Sequence, residues 1–351
     1  LLALAKRADP ELHKLAYRTL LEHTTPSDFA PSSSSSVEAG VARLFEMATG
    51  AAENEHTRHF APTYLRCHHP VIGPHDPQAK ELGLSPQLER ASYTVERVWR
   101  SLFDPRDDVR RFAATIAKVE LRAWGVQKRL AALCESDDKL VRNVALDAML
   151  KAGDASADPE TTLTLDELDA ETIFPLTEST KKAVRDAGME LIRRHYARLG
   201  GVERLSWLMQ SAEREVRAFA VRLLWEKHRP RATPPSWKPR AHEIAFDDAG
   251  RFVDAAAMRG FLRRVLFALP PGAVGPRVED DASVRRHVPA SVAKKQLVDV
   301  VRDIAVSDAS FASVVRPVLF EMTGSLAHGV WQAGRAVGAS IDASLRGRTE
   351  A

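Results

Sequence analysis

Four short segments of this sequence align without gaps and share one pattern of apolar and small residues. Each begins with a valine followed by an arginine: Val109-Arg110, Val141-Arg142, Val184-Arg185 and Val216-Arg217. Counted from the valine, the third position is Phe, Val or Ala, the fourth is always Ala or Gly, and the eighth is apolar. Because positions 0, 3, 4 and 8 lie on one face of an α-helix, the segments predict four amphipathic helices. The small fourth residue indicates close approach of a neighbouring helix.

A shorter apolar helix is predicted before each of these helices. Successive valines lie 32, 43 and 32 residues apart, a period typical of helical arrays. Turn or capping residues separate the two helices of a unit, as at Asp104-Pro105 and Ser136-Asp137-Asp138. In the third unit, Thr164-Leu165-Asp166-Glu167 predicts a capping box before a short helix over 166–173. One such pair cannot bury both of its apolar faces, so the pairs are expected to stack.

This pattern resembles HEAT-type α-helical repeats of the armadillo-like superhelix class. The resemblance covers residues 94–228 well and residues 1–23, where Glu11–Ala16 is a fifth copy, less well. It implies an all-α fold, an α-solenoid of stacked antiparallel helix pairs. It also implies a curved array that binds other macromolecules on the concave surface formed by the second helices. Gly188, where alanine is usual, and the long insertion before the third unit depart from the pattern.

The predicted domain organisation is a repeat array over residues 1–228, followed by a linker with degenerate repeats or a helical cap over 229–351. Loop insertions are expected near 24–40, which holds five consecutive serines, near 60–87, which holds five prolines, and near 154–165, which is acidic. In the C-terminal part, helices are predicted over 253–269, 291–304, 311–322 and 327–345. Residues 244–252 are expected to form an irregular turn rather than a hairpin.

The composition of the chain bears on its cellular compartment and on its charge. The chain starts with Leu1 in a helical pattern, so we expect a fragment of a larger protein with helices before it. No apolar stretch reaches the ~18 residues of a membrane span, and no secretory signal is visible. Two cysteines cannot form a disulfide framework, which favours a reducing, cytoplasmic location. An arginine-rich, lysine-poor composition suggests a GC-rich bacterial genome, and residues 229–351 carry 18 basic against 13 acidic side chains.

One group of residues has the chemistry of metal ligands. His56, His59, Cys67, His68 and His69 lie close together in the sequence, and imidazole and thiolate are the usual zinc ligands. Their spacing matches no standard zinc motif, so we predict no metal site and no cofactor. Cys134 lies on the apolar face of a repeat helix and is predicted to be a buried, unreactive thiol. No nucleophile-elbow, phosphate-loop or metalloprotease motif occurs in the chain.

The arginine that follows each valine has two interpretations. Arg110, Arg142, Arg185 and Arg217 could form an internal ladder with acidic residues of neighbouring repeats, for which Asp138 and Glu213 are candidates. They could instead form an exposed stripe that binds phosphates, in which case their guanidinium groups would be unpaired. The internal ladder is the favoured interpretation.

Three hypotheses for function follow from these observations. The first is a non-enzymatic scaffold for protein–protein interaction, with a protein partner of unknown identity and no membrane association. The alternative is a nucleic-acid-binding helical-repeat module that uses the arginine row. The third is an enzyme of the HEAT-like DNA glycosylase type, which needs an exposed aromatic and carboxylate cluster on the concave surface. The sequence favours the first.

Overall fold

Every regular element that the structure describes is a helix, which confirms the predicted all-α class. The structure is a computed structural model, and it describes residues 9–33, 36–51, 55–230, 233–238, 254–268, 290–324 and 330–349. Over these residues, no helix is both long enough and apolar enough to cross a membrane. The helical pattern at residues 1–5 and the turn expected at 244–252 lie outside the described residues.

The chain divides into two compact units, Leu1–Leu168 and Asp169–Ala351. The first unit contains α1 Pro10–His23, α2 Val37–Thr49, α3 Glu55–Cys67, α4 Pro77–Leu82, α5 Val95–Val98, α6 Asp107–Glu120, α7 Leu130–Cys134 and α8 Lys139–Leu150. Short 3-10 turns join several of these helices; among them, Trp99–Phe103 continues α5 and Gln127–Arg129 precedes α7.

The second unit contains α9 Ala170–Ile173, α10 Lys182–Arg194, α11 Gly201–Gln210, α12 Arg214–His228, α13 Ala255–Arg263, α14 Ala290–Ser307, α15 Ala309–Met322 and α16 Val330–Thr349. A 3-10 turn at Phe174–Glu178 extends α9, and a π-helical turn at Arg264–Ala268 extends α13. Helices α14, α15 and α16 pack against one another, and α12 packs against α14. Residues on both sides of position 228 therefore belong to one compact unit, whereas the change in composition placed a division there.

The four predicted repeat helices are α6, α8, α10 and α12, and each follows a shorter helical segment. In the first unit α6 packs against α8, and in the second unit α10 packs against α12. All four valines at position 0 and all four small residues at position 4 are buried. The close approach inferred from the small residue is clearest at Gly188, where an added Cβ would lie 2.9 Å from Leu176 Cβ.

The capping box predicted for the third unit is present and joins Thr164 to Glu167. The backbone N–H of Thr164 donates to Glu167 Oε2 at 2.6 Å, and the Thr164 hydroxyl donates to the same oxygen at 3.0 Å. It closes a 3-10 turn over Leu165–Glu167, and α9 begins only at Ala170, so the helix predicted over 166–173 is interrupted at Leu168 and Asp169. The capping signal thus correctly located the end of the acidic insertion.

The prediction of a loop over residues 60–87 was wrong over its first eight residues and again over Pro77–Leu82, which forms α4. Helix α3 continues through Pro62 to Cys67. Proline in a helix interior removes one hydrogen bond and costs ~3 kcal/mol relative to alanine. Here Phe60, Ala61, Tyr64 and Leu65 are fully buried on the same helix. Burying large apolar side chains contributes ~1.5–3 kcal/mol each, which outweighs the cost of the proline.

The region predicted as a loop near residues 24–40 also contains helical structure. A 3-10 turn covers Pro26–Phe29, and α2 begins at Val37 with Ser36 as its N-cap. The Ser36 hydroxyl accepts the backbone N–H of Ala39 at 3.1 Å. The helices predicted in the C-terminal part are present in the described residues as α13, α14, α15 and α16.

Candidate functional site

The four repeated arginines bind backbone carbonyl groups of the turn that precedes their own helix. Nη1 of Arg110 donates to Asp104 O at 2.8 Å, and Nη1 of Arg142 donates to Ser136 O at the same distance. In the second unit, Nη1 of Arg185 donates to Ser179 O at 2.8 Å, and Nη1 of Arg217 donates to Ser211 O at 2.7 Å. In every copy the accepting carbonyl lies six residues before the arginine. We call this arrangement the arginine clasp.

The residue that supplies the carbonyl also stabilises the turn with its side chain. Ser136 Oγ accepts the N–H of Asp138 at 3.2 Å, Ser179 Oγ accepts that of Lys181 at 3.1 Å, and Ser211 Oγ accepts that of Glu213 at 3.1 Å. In the first copy an aspartate takes this place. A recurrent Ser or Asp six residues before the arginine is therefore the sequence signal of the clasp, and the sequence analysis missed it.

Burial and charge pairing make the clasp part of the folded framework. Arg185 and Arg217 are each only 7% exposed. Nε of Arg110 donates to Asp138 Oδ2 of the following repeat at 2.6 Å. Burial opposes ionisation of Asp138, but hydrogen bonds from the backbone of Val141 and Leu140 and from Arg110 lower the pKa of that carboxyl. Within the first unit this pair links one repeat to the next.

In the second unit, the acidic candidate Glu213 acts on Arg217 through its charge. Burial lowers the pKa of Arg217, while the carboxylates of Glu178 and Glu213 raise it. The guanidinium of Arg217 therefore binds the Ser211 carbonyl and interacts electrostatically with two carboxylates. Phosphate binding by the row would require exposed guanidinium groups, and the clasp directs these groups into turns.

The five histidine and cysteine candidates do not converge on one point. His56 and the exposed His59 lie near the start of α3, and the ring of His56 is 4.7 Å from that of His13. Cys67, His68 and His69 are fully buried at the end of the same helix. In the described part of the chain, no group of three or more His, Cys, Asp or Glu side chains is arranged to hold a metal ion.

Each of the three buried members of this group has its own structural role. Cys67 Sγ donates to Asp76 Oδ1 at 3.7 Å, and burial raises the pKa of this thiol to about 12. The ring nitrogens of His68 lie 3.0 Å from Ser85 O and 3.2 Å from Leu21 O. These contacts satisfy buried polar groups in the core of the first unit.

His69 belongs to a buried polar cluster with Glu120. Its Nδ1 accepts the backbone N–H of Val71 at 3.0 Å, and its Nε2 lies 3.3 Å from Glu120 Oε1. Arg90 Nε donates to the same carboxylate oxygen at 2.8 Å. His69 and Glu120 are 0% and 1% exposed, so no substrate reaches them. The cluster forms part of the buried core of the first unit.

The second thiol, Cys134, is buried as the sequence analysis predicted. It lies at the end of α7 with no exposed surface, and burial raises its pKa to about 12. A thiol with such a pKa is almost entirely protonated at neutral pH and is a poor nucleophile. Both of the chain's cysteines are therefore buried thiols.

A groove in the second unit is a candidate binding surface among the described residues. It has a volume of about 660 Å³ and lies between α10, α12 and α14. Its apolar lining residues are Met189, Ala218, Val221, Trp237, Val292 and Ala293. Its charged lining residues are Lys182, Asp186, Arg214, Glu215, Arg217 and Arg222. Trp237 is held in place because its Nε1 donates to Asp303 Oδ2 at 2.9 Å.

The charges of this groove are arranged unevenly between its helices. On α10, Lys182 Nζ donates to both oxygens of Asp186, at 2.7 and 3.0 Å, and the hydrogen bond and charge of Asp186 raise the pKa of Lys182. On α12, Arg214 and Arg222 are exposed and have no ion-pair partner among the described residues. The α10 side is thus internally neutralised, and the α12 side carries positive charge.

Comparison with known proteins identifies no relative of this chain. No protein-family model matches the chain, and no curated protein matches it either.

Proposed function

We propose that this chain is a non-enzymatic protein-binding scaffold and that the groove between α10, α12 and α14 is its recognition surface. The observation that carries the proposal is the composition of the groove, whose lining combines apolar residues, among them the buried Val221 and Ala293, with exposed charged residues such as Arg214 and Arg222. Protein interfaces have this organisation, with a desolvated centre and a polar rim. Helices α10 and α12 are second helices of successive repeats, the elements that the HEAT-like resemblance associates with partner binding.

The state of the chemically reactive groups also supports a binding function. Both thiols are buried and have a raised pKa. The buried His69–Glu120 pair is closed to solvent. Two free cysteines fit a reducing compartment, so the proposal places the scaffold in the cytoplasm.

The described residues give less support to the alternative, a nucleic-acid-binding module that uses the arginine row. It requires exposed guanidinium groups at the repeated arginines, and the guanidinium groups of Arg185 and Arg217 are buried against turn carbonyls. The test of function therefore also measures the binding of a DNA duplex.

The experiment is a selection of binders from a random peptide display library, with the chain as the immobilised target. Binders are then measured against Ala218→Trp, which fills the groove, and against Ala256→Trp, the same change at an exposed position on α13. Circular dichroism verifies that both variants are folded. We expect peptides whose affinity falls by about tenfold or more in Ala218→Trp and is unchanged in Ala256→Trp.

Two results would contradict the proposal. One is a selection in which no peptide depends on Ala218. The other is tight binding of a random-sequence DNA duplex that is lost between about 50 and 200 mM salt, which is the signature of phosphate contacts. That second result would restore the nucleic-acid hypothesis.

A further inference from the structure

The side of the groove formed by α12 presents two guanidinium groups at a defined separation. Arg214, Ala218 and Arg222 are four residues apart, so they share one face of the helix. At 1.5 Å per residue, the two arginines emerge ~12 Å apart along the helix axis. Both are exposed, and the small Ala218 lies between them. This row is called the Arg214–Arg222 stripe.

The remaining charges of the groove do not cancel the stripe. Asp186 is engaged by Lys182 at 2.7 Å, and Glu215 acts on the same ammonium group, whose pKa it raises. Arg217 is engaged by its own turn through Ser211 O at 2.7 Å. The stripe is therefore the part of the groove whose charge is left for a partner to neutralise.

Beside the stripe, the groove is lined by apolar residues, which we call its floor. Val221 is buried on the same helix, and Met189 on α10 and Trp237 line the groove with it. Because Ala218 has a short side chain, an apolar side chain lying between the two arginines can reach this floor. Along the stripe, an apolar site therefore lies between two positively charged groups.

An extended chain matches that order. Its side chains alternate, so residues i, i+2 and i+4 face the same way. At ~3.3 Å per residue, positions i and i+4 are ~13 Å apart, close to the separation of the two arginines. A carboxylate at i, an apolar residue at i+2 and a carboxylate at i+4 would place a charge on each guanidinium and a side chain on the floor.

We propose that the occupant of the groove is an acidic, extended segment of a partner protein with the pattern Glu-x-Leu-x-Glu, where Asp replaces Glu and other apolar residues replace Leu. The inference rests on the proposed function, and it adds the chemistry of the partner. Guanidinium groups bind carboxylates through paired hydrogen bonds, which gives the stripe a preference for this partner over neutral or basic segments.

The test uses display libraries in which positions i and i+4 are Glu, Gln or Lys and position i+2 is apolar. The targets are the full chain, the double variant Arg214→Glu/Arg222→Glu and the control Arg264→Glu. Arg264 is an exposed arginine of the second unit that does not line the groove. Only peptides whose binding is lost in Ala218→Trp are counted.

We expect groove-dependent binders of the unaltered chain and of Arg264→Glu to be enriched in Glu over Gln and Lys. The double charge reversal should weaken Glu peptides by about five- to tenfold or more and shift the selection to Lys. Affinity for the Glu peptides should fall as salt rises.

The two proposals fail in different ways. Groove-dependent binders with no preference for Glu, or an equal loss in Arg264→Glu, would overturn the acidic partner and leave the scaffold proposal standing. The absence of any binder that depends on Ala218 would overturn both. Competition by a DNA duplex that is abolished by the double variant would show that the stripe binds phosphates instead.

Discussion

In each arginine clasp, a single side chain satisfies backbone carbonyl groups of the turn that precedes its helix. Arg185 donates to Ser179 O at 2.8 Å and to Thr180 O at 3.0 Å, and it is almost completely buried. Removing the guanidinium leaves two carbonyls that lose their donor inside the protein. An unsatisfied buried polar group costs ~1–3 kcal/mol. The clasp therefore holds the tight turn by satisfying acceptors that water reaches poorly.

Arg185→Met should lower the free energy of unfolding by about 1–3 kcal/mol, since methionine fills the space but cannot donate. Arg185→Lys should recover only part of this, because an ammonium group is more strongly hydrated than a guanidinium and costs more to bury beside the two carbonyls that Nη1 of Arg185 contacts. Urea unfolding provides the measurement. Arg214→Met, at an exposed arginine of the groove, is the control and should change stability by less than about 0.5 kcal/mol. Equal effects at both sites would show that the clasp has no special role.

His228, at the end of α12, makes stability depend on pH. Burial lowers its pKa from 6.5 in the unfolded chain to about 4 in the folded one. Above pH 6.5 the imidazole is neutral in both states and the full stability is present. As the pH falls from 6.5 towards 4, the unfolded state binds a proton that the folded state does not, and up to ~3 kcal/mol of unfolding free energy is lost.

Carboxylates also titrate in this range, so the measurement compares the native chain with His228→Gln. The variant should lose less stability than the native chain between pH 6.5 and 4 in chemical denaturation. Parallel pH curves for the two proteins would show that His228 does not contribute.

At the scale of single residues, sequence analysis identified the arginine row and one of its carboxylate partners, but it missed the backbone acceptors. The row of arginines was apparent from the alignment, and Asp138 was correctly named as a partner of the row. The carbonyl acceptors were missed because every residue has a backbone carbonyl, so residue identity does not show which of them accepts a hydrogen bond. The spacing of six from Ser136, Ser179 and Ser211 was the available signal.

Among the helices, the small residue at position 4 decides how closely neighbours pack. An added Cβ at Gly188 would lie 2.9 Å from Leu176 Cβ and 3.3 Å from the backbone nitrogen of Thr177. At Gly260, on α13, an added Cβ would meet no atom within 4 Å. The same substitution is thus expected to have opposite effects at two helical glycines.

Gly188→Ala should destabilise the protein by about 1–3 kcal/mol through overpacking, in part offset by the better helix propensity of alanine. Gly260→Ala should stabilise it by up to about 1 kcal/mol. Thermal unfolding of the two variants beside the native chain gives the sign of each effect. A stabilising Gly188→Ala would mean that the 3-10 turn at Phe174–Glu178 can move away.

The helices also show where sequence analysis stops being sufficient. The apolar spacing located α6, α8, α10 and α12 because their faces are regular. It failed at α3, where Pro62 outweighed the aromatic residues Phe60 and Tyr64 in the prediction. Local rules give proline a large weight, whereas the burial of neighbouring side chains that compensates for it becomes visible only in the folded core.

On the scale of the whole molecule, all lining residues of the groove belong to the second unit, Asp169–Ala351. Sequence analysis could not predict this surface. Its α14 wall contains Val292 and Gln296, which lie far along the chain from Arg214. The packing of α14 against α12 brings these residues together. The two helices share no repeated sequence pattern, so residue spacing does not predict that they pack.

A chain limited to residues 169–351 should therefore bind the selected peptides with the affinity of the full chain. Fluorescence anisotropy with a labelled peptide is the measurement, and far-UV circular dichroism verifies that the shortened chain is helical. A helical but inactive shortened chain would mean that the first unit contributes to binding.

The arginine clasp also determines where this architecture can grow. Each clasp spans the same six residues, so adding or removing one residue between the serine and its arginine would pull the guanidinium off its carbonyl. The connection that leaves each second helix has no such constraint. It is there, after α8, that the longer spacing of 43 residues arises, while the clasped turn keeps its length. Joints of fixed length alternate with joints of free length, and a reporter or tag inserted after α8 should be accommodated where one inserted at Ser136–Arg142 would not.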